Sequence, residues 1–253
     1  MNHLTTLLQN YRRALNHATI IYSSNDETSE YLKKRMKKGQ LSKLSQMTEL
    51  CIDDSYLRDR EQLRHVTQDT VHIIVSGRLM YRKGLMVLFD ALLQMKTEQS
   101  YVVDVYGDGV QREELKSYVN NNGLDDRVVF HGKVSFQEMQ ECYKNADIYV
   151  LPSLRETTGT ALLEAMANKL PVISFKQNGA KYVVEDDAGI LVRLGTTEET
   201  VAGLAQAIQK LIESPELRMN YGDNAYKKVR EKYTWSKRVE MMDGVYRAIS
   251  DSN

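Results

Sequence analysis

VHIIVSGRLMYRKGLMVLFDALLQM, residues 71–95, opens on a short apolar run, turns at Gly77, passes Arg78 and Lys83, and continues as apolar residues at helical spacing. A strand joined by a short turn to a helix is the first half of a parallel crossover unit. The alternation repeats downstream: YVVDVYG then REELKSYVNNN, RVVFHG then FQEMQECYKNA, DIYVLPS then GTALLEAMANK, then LPVISF and AGILVR. Strands of about four to seven residues between helices of about ten predict an α/β fold with a doubly wound, Rossmann-like parallel sheet. Ligands of such sheets sit beyond the carboxyl ends of the strands.

On either side the pattern changes. EETVAGLAQAIQKLIES, a break at Pro215, ELRMNYGDNAYKKVREKY and an amphipathic run from about Trp235 to Ile249 are helical. Residues 11–38 read as a helix, the short buried strand ATIIYSS, and a helix with acids in its first turn and bases in its last. Residues 39–70 are polar and weakly periodic, the pattern of a linker or an excursion.

The 253 residues are 42% hydrophobic and 27% charged, an ordinary globular composition. Lys plus Arg equals Asp plus Glu at 34 each, so no global field recruits nucleic acid, and none is expected as a partner. The cluster KKRMKK reads as a solvated helix end rather than a lipid or phosphate site. Cys51 and Cys142 lack metal-ligand spacing and read as free thiols of a reducing cytoplasm, with no metal site expected. No basic segment precedes an apolar core at the start, and the longest strongly apolar run, VHIIV, is far too short for a bilayer. A soluble, cytoplasmic protein is expected.

Three strand-to-helix turns carry unusual residues. After Gly77, Arg78 and Lys83 suit a phosphate, since arginine donates bidentate bonds and lysine is a compact positive charge; a surface turn with incidental bases fits the spacing equally. In VYGDGVQREE the position of a third glycine after Gly107 and Gly109 is Arg112, so the dinucleotide fingerprint fails and an NAD-dependent enzyme is disfavoured. These glycines read as a tight turn that lets a ligand approach the backbone. RETTGTALLEAM, residues 155–166, sets Glu156 in a loop, reaches Gly159 and starts a helix at about Thr160, whose first free amides face the strand ends. Thr160, Glu164 and Asn168 share one helical face. By pattern this face lies in water, whereas by position Glu164 is one turn from a phosphate site and suits the hydroxyls of an attached sugar.

SGRLMYRKG, YGDG, VVFHGKVSFQEMQECYKNADIYVLPSLRE, the E-x7-E from Glu156 to Glu164, LLEAMANKLPVIS and NGAKYVVEDDAGILV, in this order, resemble the carboxy-terminal lobe of the retaining glycosyltransferases of family 4, which have the GT-B fold. The resemblance covers about residues 71–250. It implies a nucleoside-diphosphate sugar donor, UDP-, GDP- or ADP-linked, with neither metal nor cofactor. Arg78 and Lys83, beyond the turn at Gly77, would hold the diphosphate with amides near Gly159 and Thr160. Glu164 would take the ribose hydroxyls, Glu156 the donor sugar, and backbone around Lys133 and Val134 the base, with Gly107 at the neighbouring turn. Glu156, Arg78 and Lys83 are then the catalytic candidates. Two loops beside the donor sugar depart from the family: Thr157, Thr158 and Gly159 stand for Gly-Phe-Gly, and residues 178–182, NGAKY, for Gly-Gly-x-Pro-Glu.

The resemblance further implies a missing acceptor lobe. Residues 1–70 are expected to be its stub and linker, 71–230 the nucleotide-sugar lobe, and 231–253 a crossing helix packed on the stub. The function expected is sugar transfer to an unknown acceptor in polysaccharide or glycoconjugate biosynthesis. The chain would work with an amino-terminal-lobe partner or as a homo-oligomer, with peripheral contact at the inner membrane face. The alternative is a nucleotide-sugar-binding module, or a subunit of a split transferase inactive alone.

Overall fold

The computed structural model describes residues 3–58, 60, 69–155, 159–185 and 187–251. The chain divides into two compact units, residues 1–50 with 239–253, and residues 51–238.

In the first unit, α1 (His3–His17) leads to β1 (Ile21–Ser23) and α2 (Asp26–Lys33). The Asn25 side chain caps α2 by accepting from the Thr28 amide at 2.8 Å, which satisfies one otherwise orphaned donor. Leu15, Leu32 and Met36 form a small core with Ile21 and Leu44. The stretch expected to be a linker is not one throughout. A 3-10 turn, Lys38–Lys43, feeds β2 (Leu44–Gln46), which pairs in parallel with β1, Ile21 against Leu44. Three residues, LSQ, two half-buried and the last exposed, carry no alternation that periodicity could register.

The second unit begins with the short helix α3 (Ser55–Arg58). Its sheet comprises β3 (Thr70–Ser76), β4 (Ser100–Tyr106), β5 (Val128–Gly132), β6 (Ile148–Leu151), β7 (Val172–Phe175) and β8 (Gly189–Val192). The order is β5-β4-β3-β6-β7-β8, and every neighbouring pair is parallel. Between these strands run α4 (Leu85–Gln94), α5 (Arg112–Asn121), α6 (Phe136–Lys144), α7 (Thr160–Ala167) and α8 (Asn178–Val183). Then come α9 (Thr197–Glu213), α10 (Pro215–Lys232) and α11 (Trp235–Ser250), whose residues from 239 onward fall in the first unit.

Strands β6 and β7 are buried at every position and read as nearly continuous apolar runs, with Ser174 satisfied by donating to the Leu151 carbonyl at 3.0 Å. On β4 the burial alternates, with Tyr101, Val103 and Val105 inward, in a core shared with α4 and α9. Pro215 does not merely break a helix. It occupies the first turn of α10, where its missing N–H costs nothing, and Ser214 alone separates α9 from α10. The helix α8 was not expected from NGAKYVV.

Strand order fixes where a ligand can sit. The sequence order runs outward from β3 to β5 on one side and from β6 to β8 on the other, so β3 and β6 flank the topological switch point, where loops leave in opposite directions and open a crevice.

Candidate functional site

The crevice is walled by the loop after β3 and the loop after β6. Gly77 leaves β3 at φ 142°, a 3-10 turn Tyr81–Lys83 follows, and Gly84 opens α4 at φ 68°. A Cβ on Gly84 would lie 2.0 Å from the Pro152 carbonyl oxygen, so the loops meet backbone to backbone there. The Leu154 amide donates to the Arg82 carbonyl at 2.8 Å, and the Arg82 guanidinium donates to the Arg155 carbonyl at 3.2 Å. The β6–α7 loop is thereby clipped to the cationic turn.

Within this cleft stand Gly77, Arg78, Lys83, Pro152 and Ser153. Arg78 is exposed and Lys83 half-buried. The Lys83 ammonium lies over Gly77, 3.9 Å from where a Cβ would be. Residues 156–158 are outside those described, so the expectation for Glu156, and for Thr157 and Thr158, falls there. Gly159, at φ 77°, heads α7 without any side-chain cap, and Thr160 is exposed beside it. The helix thus starts with amides that no capping side chain engages.

The glycine turn after β4 brings three backbone segments together. A Cβ on Gly107 would sit 1.8 Å from the Gly77 carbonyl oxygen, and the Gly107 amide donates to the Gly132 carbonyl at 2.7 Å. The absent side chain lets the turns after β3, β4 and β5 pack on one another. Lys133, exposed, and Val134, half-buried, follow directly after Gly132 on the same carboxyl edge. Ser135 then closes a capping box on α6 with Glu138.

Glu164 does not lie in water. On α7, Leu162, Leu163, Ala165, Met166, Ala167 and Asn168 are all buried and Glu164 is half-buried. The face that pattern placed in solvent runs from exposed Thr160 to buried Asn168, which donates to the Tyr56 hydroxyl at 3.0 Å and accepts from Arg60 Nε at 2.9 Å. Tyr143 donates to the Glu164 carboxylate across 3.5 Å, and Ser76 Oγ lies 3.2 Å from the Tyr143 hydroxyl and 3.3 Å from that of Tyr149. This relay ties Glu164 to the last residue of β3, one position before Gly77. Burial pushes the Glu164 carboxyl above its ordinary value, and the Tyr143 hydrogen bond partly offsets it. Burial likewise drives Tyr143 well above its ordinary value, which keeps its proton available to donate.

Arg60 carried no signal in sequence. It sits 7% exposed, its guanidinium 3.7 Å from the Tyr56 ring centre, and donates to Gln140 Oε1 at 3.2 Å as well as to Asn168. It reaches both α6 and α7 from a stretch without periodicity. Replacing Arg60 with alanine removes its hydrogen bonds to two buried amide oxygens, and is expected to cost about 3 kcal/mol in denaturant unfolding. A loss under about 1 kcal/mol would show that water takes over its bonds.

Among the described residues no three His, Cys, Asp or Glu side chains are grouped so as to hold a metal ion. No described helix is long and apolar enough to cross a membrane. The arrangement joins two cations and an uncapped helix start, which suit a multiply charged anion, to a half-buried carboxylate that can accept hydroxyl protons.

Known proteins share this arrangement of sequence. Alpha-D-kanosaminyltransferase of Streptomyces kanamyceticus is 29% identical over 188 residues, covering 74% of this chain and 48% of that protein. N-acetyl-alpha-D-glucosaminyl L-malate synthase of Bacillus anthracis is 28% identical over 195 residues, 76% of this chain and 50% of the relative. The chain thus spans about half the length of the curated relatives it matches. Among solved structures, HepE of Anabaena in complex with UDP superimposes with a TM-score of 0.73 at 20% identity, over 97% of this chain and 68% of that one. That likeness is one of fold, the α/β parallel-sheet architecture of the GT-B glycosyltransferases. Residues 57–228, more than half of the chain, match the family described as "Glycosyl transferases group 1". By that match, over the segment that builds the sheet and its crevice, the chain belongs to the glycosyl transferases group 1 family.

Proposed function

We propose that the chain is the donor-binding half of a retaining, family 4 hexosyltransferase that moves a sugar from a nucleoside-diphosphate sugar to an acceptor in polysaccharide or glycoconjugate biosynthesis. The observation that carries the reading is the meeting of Arg78 and Lys83 with the Glu164–Tyr143–Ser76 relay at the switch point of the sheet. The two cations and the amides at Gly159 and Thr160 would hold the diphosphate. Glu164 would accept from the ribose hydroxyls, Lys133 and Val134 would border the base, and Glu156 would meet the sugar. The HepE complex with UDP supports a uridine nucleotide as the first ligand to try. No metal or cofactor enters this scheme: the fixed cations stabilise charge developing on the leaving diphosphate. The acceptor would be met on a further lobe, at the cytoplasmic face of the membrane.

Calorimetric titration with UDP, GDP, ADP and NAD tests the reading. Saturable binding of one nucleoside diphosphate is expected, weakened about tenfold by Arg78→Ala through loss of a charge-assisted contact. Silence across the panel overturns the donor site. A second reading is nucleotide-sugar binding without transfer by this chain alone. Slow release of nucleoside diphosphate from the donor without acceptor would decide for the enzyme.

A further inference from the structure

The sheet ends at β8, and one side of that strand is open. The Val172 amide donates to the Ala188 carbonyl at 3.3 Å and the Lys176 amide to the Val192 carbonyl at 2.7 Å, so the even-numbered residues here bond β7. In a parallel ladder alternate residues bond opposite sides, and the amides and carbonyls of Leu191 and Arg193 therefore point away from β7. Among the described residues no backbone group pairs with them. An unpaired edge of this kind is a template for a further strand.

Beside this edge lies a groove of about 580 Å³ between β8 and α9. Ile190, Val192 and Leu194 line it from the strand and its continuation, and Gly203 and Ala207, one turn apart, line it from α9. A Cβ on Gly203 would lie 3.0 Å from Val192 Cγ1, so the glycine keeps the groove deep. Its end is fixed without a ligand, since the Gly195 amide donates to Thr200 Oγ1 at 3.1 Å and Thr196 closes a capping box with Glu199. The rim is cationic. Arg193 and Lys210 are exposed, and among the described residues neither is paired with a carboxylate, whereas Glu199 accepts from the Thr196 amide at 2.9 Å and serves the start of α9.

We propose that the open edge of β8 and this groove form a docking site for an extended, acidic segment of another protein, which adds a seventh strand to the sheet. Main-chain bonds to Leu191 and Arg193 set the register of the segment, apolar side chains at alternate positions enter the groove, and flanking carboxylates meet Arg193 and Lys210. Charge selects this occupant over a second copy of the chain. Pairing two β8 strands edge to edge brings the same cations together, and a charge at an edge opposes self-pairing. The site is separate from the crevice, because β7 lies between β6 and β8, and it does not depend on the nucleotide reading.

The test uses the full chain and a fluorescently labelled peptide, Glu-Val-Thr-Val-Thr-Val-Glu, with Lys-Val-Thr-Val-Thr-Val-Lys as its counterpart, read by anisotropy at about 50 mM salt so that exposed charges are not screened. The glutamate peptide should saturate below about 1 mM, and the lysine peptide should bind about tenfold more weakly. Arg193→Glu combined with Lys210→Glu, both at exposed positions, should invert that preference and leave the urea midpoint unchanged. N-methylation of alternate peptide amides decides whether a strand forms. Of the two alternating sets, one should weaken binding about tenfold or more and the other should be tolerated, because only one row of amides faces β8. Hydrogen exchange at the Leu191 and Arg193 amides should slow when the peptide binds. No saturation by about 1 mM, equal binding of the two charged peptides, or equal effects of the two methylated sets each overturns the proposal. So does sedimentation as a dimer in which those two amides are already protected, since a second copy then holds the edge.

Discussion

Replacing Glu164 with alanine is expected to weaken nucleoside-diphosphate binding by about a hundredfold. Two hydroxyl groups of a ribose on one carboxylate make two charge-assisted bonds, and their joint loss in a half-buried place is worth about 3 kcal/mol. Unchanged affinity in calorimetry would remove Glu164 from the site. The same residue carries a stability cost. Its carboxyl titrates above its ordinary value because burial disfavours the charge, so the folded chain binds more protons than the unfolded chain between the ordinary value of 4.5 and the raised one. Stability therefore falls as pH climbs through that interval. Glu164→Gln keeps an oxygen for the Tyr143 hydroxyl and removes the titration. It should unfold at higher urea than wild type at about pH 7, with the gap closing towards about pH 4. A stabilised protein that binds nucleotide poorly is the signature of a site residue, since function retains a group that folding alone would discard. Equal stability at both pH values would show that Glu164 is better solvated than its place on α7 implies.

Gly107→Ala should be the most damaging single methyl in the second unit. Its Cβ would fall 1.8 Å from the Gly77 carbonyl oxygen, and its φ of 129° is open to few other residues. The obstructing atom is backbone in the turn that presents Arg78, so relief requires β3 and β4 to part at their carboxyl ends. A loss above about 4 kcal/mol is expected, seen as aggregation on expression or early unfolding. Any folded fraction should have lost nucleotide affinity with the geometry of the Arg78 turn. Gly123→Ala is the control, since it too has a positive φ, 64°, but nothing lies within 4 Å of its Cβ. Its cost should stay near about 1 kcal/mol. Similar losses in both would mean that backbone conformation, not the contact with Gly77, decides the effect.

Much of the second unit was legible before any coordinates. Strand and helix alternate with the periods of 2 and 3.6 that backbone geometry imposes, and each apolar run from VHIIV to GILV became a strand. The turn residues were legible too, because Gly77, Arg78, Lys83 and Gly159 stand at strand-to-helix junctions whatever the strand order. Less visible were β2, α8 and Arg60. A three-residue strand such as LSQ has no period, and NGAKYV forms a helix that tertiary contacts hold at both ends. The solvent face assigned to Glu164 failed for a related reason. Helical spacing shows that Thr160, Glu164 and Asn168 point one way, but not that Arg60 and Tyr56, more than a hundred positions earlier, cover the last of them.

Sequence alone therefore determined the α/β class, the succession of strands in the second unit and the turns where an anion could be met, because these follow from local spacing and backbone conformation. Only the tertiary structure decided that the turn after β3 faces the loop after β6, that Glu164 is half-buried and tied to Ser76, and that the turns after β3, β4 and β5 meet at Gly107. Each depends on which distant segments are neighbours. Strand order sets that, and burial and carbonyl-to-carbon distances then enforce it, although neither has a period along the chain.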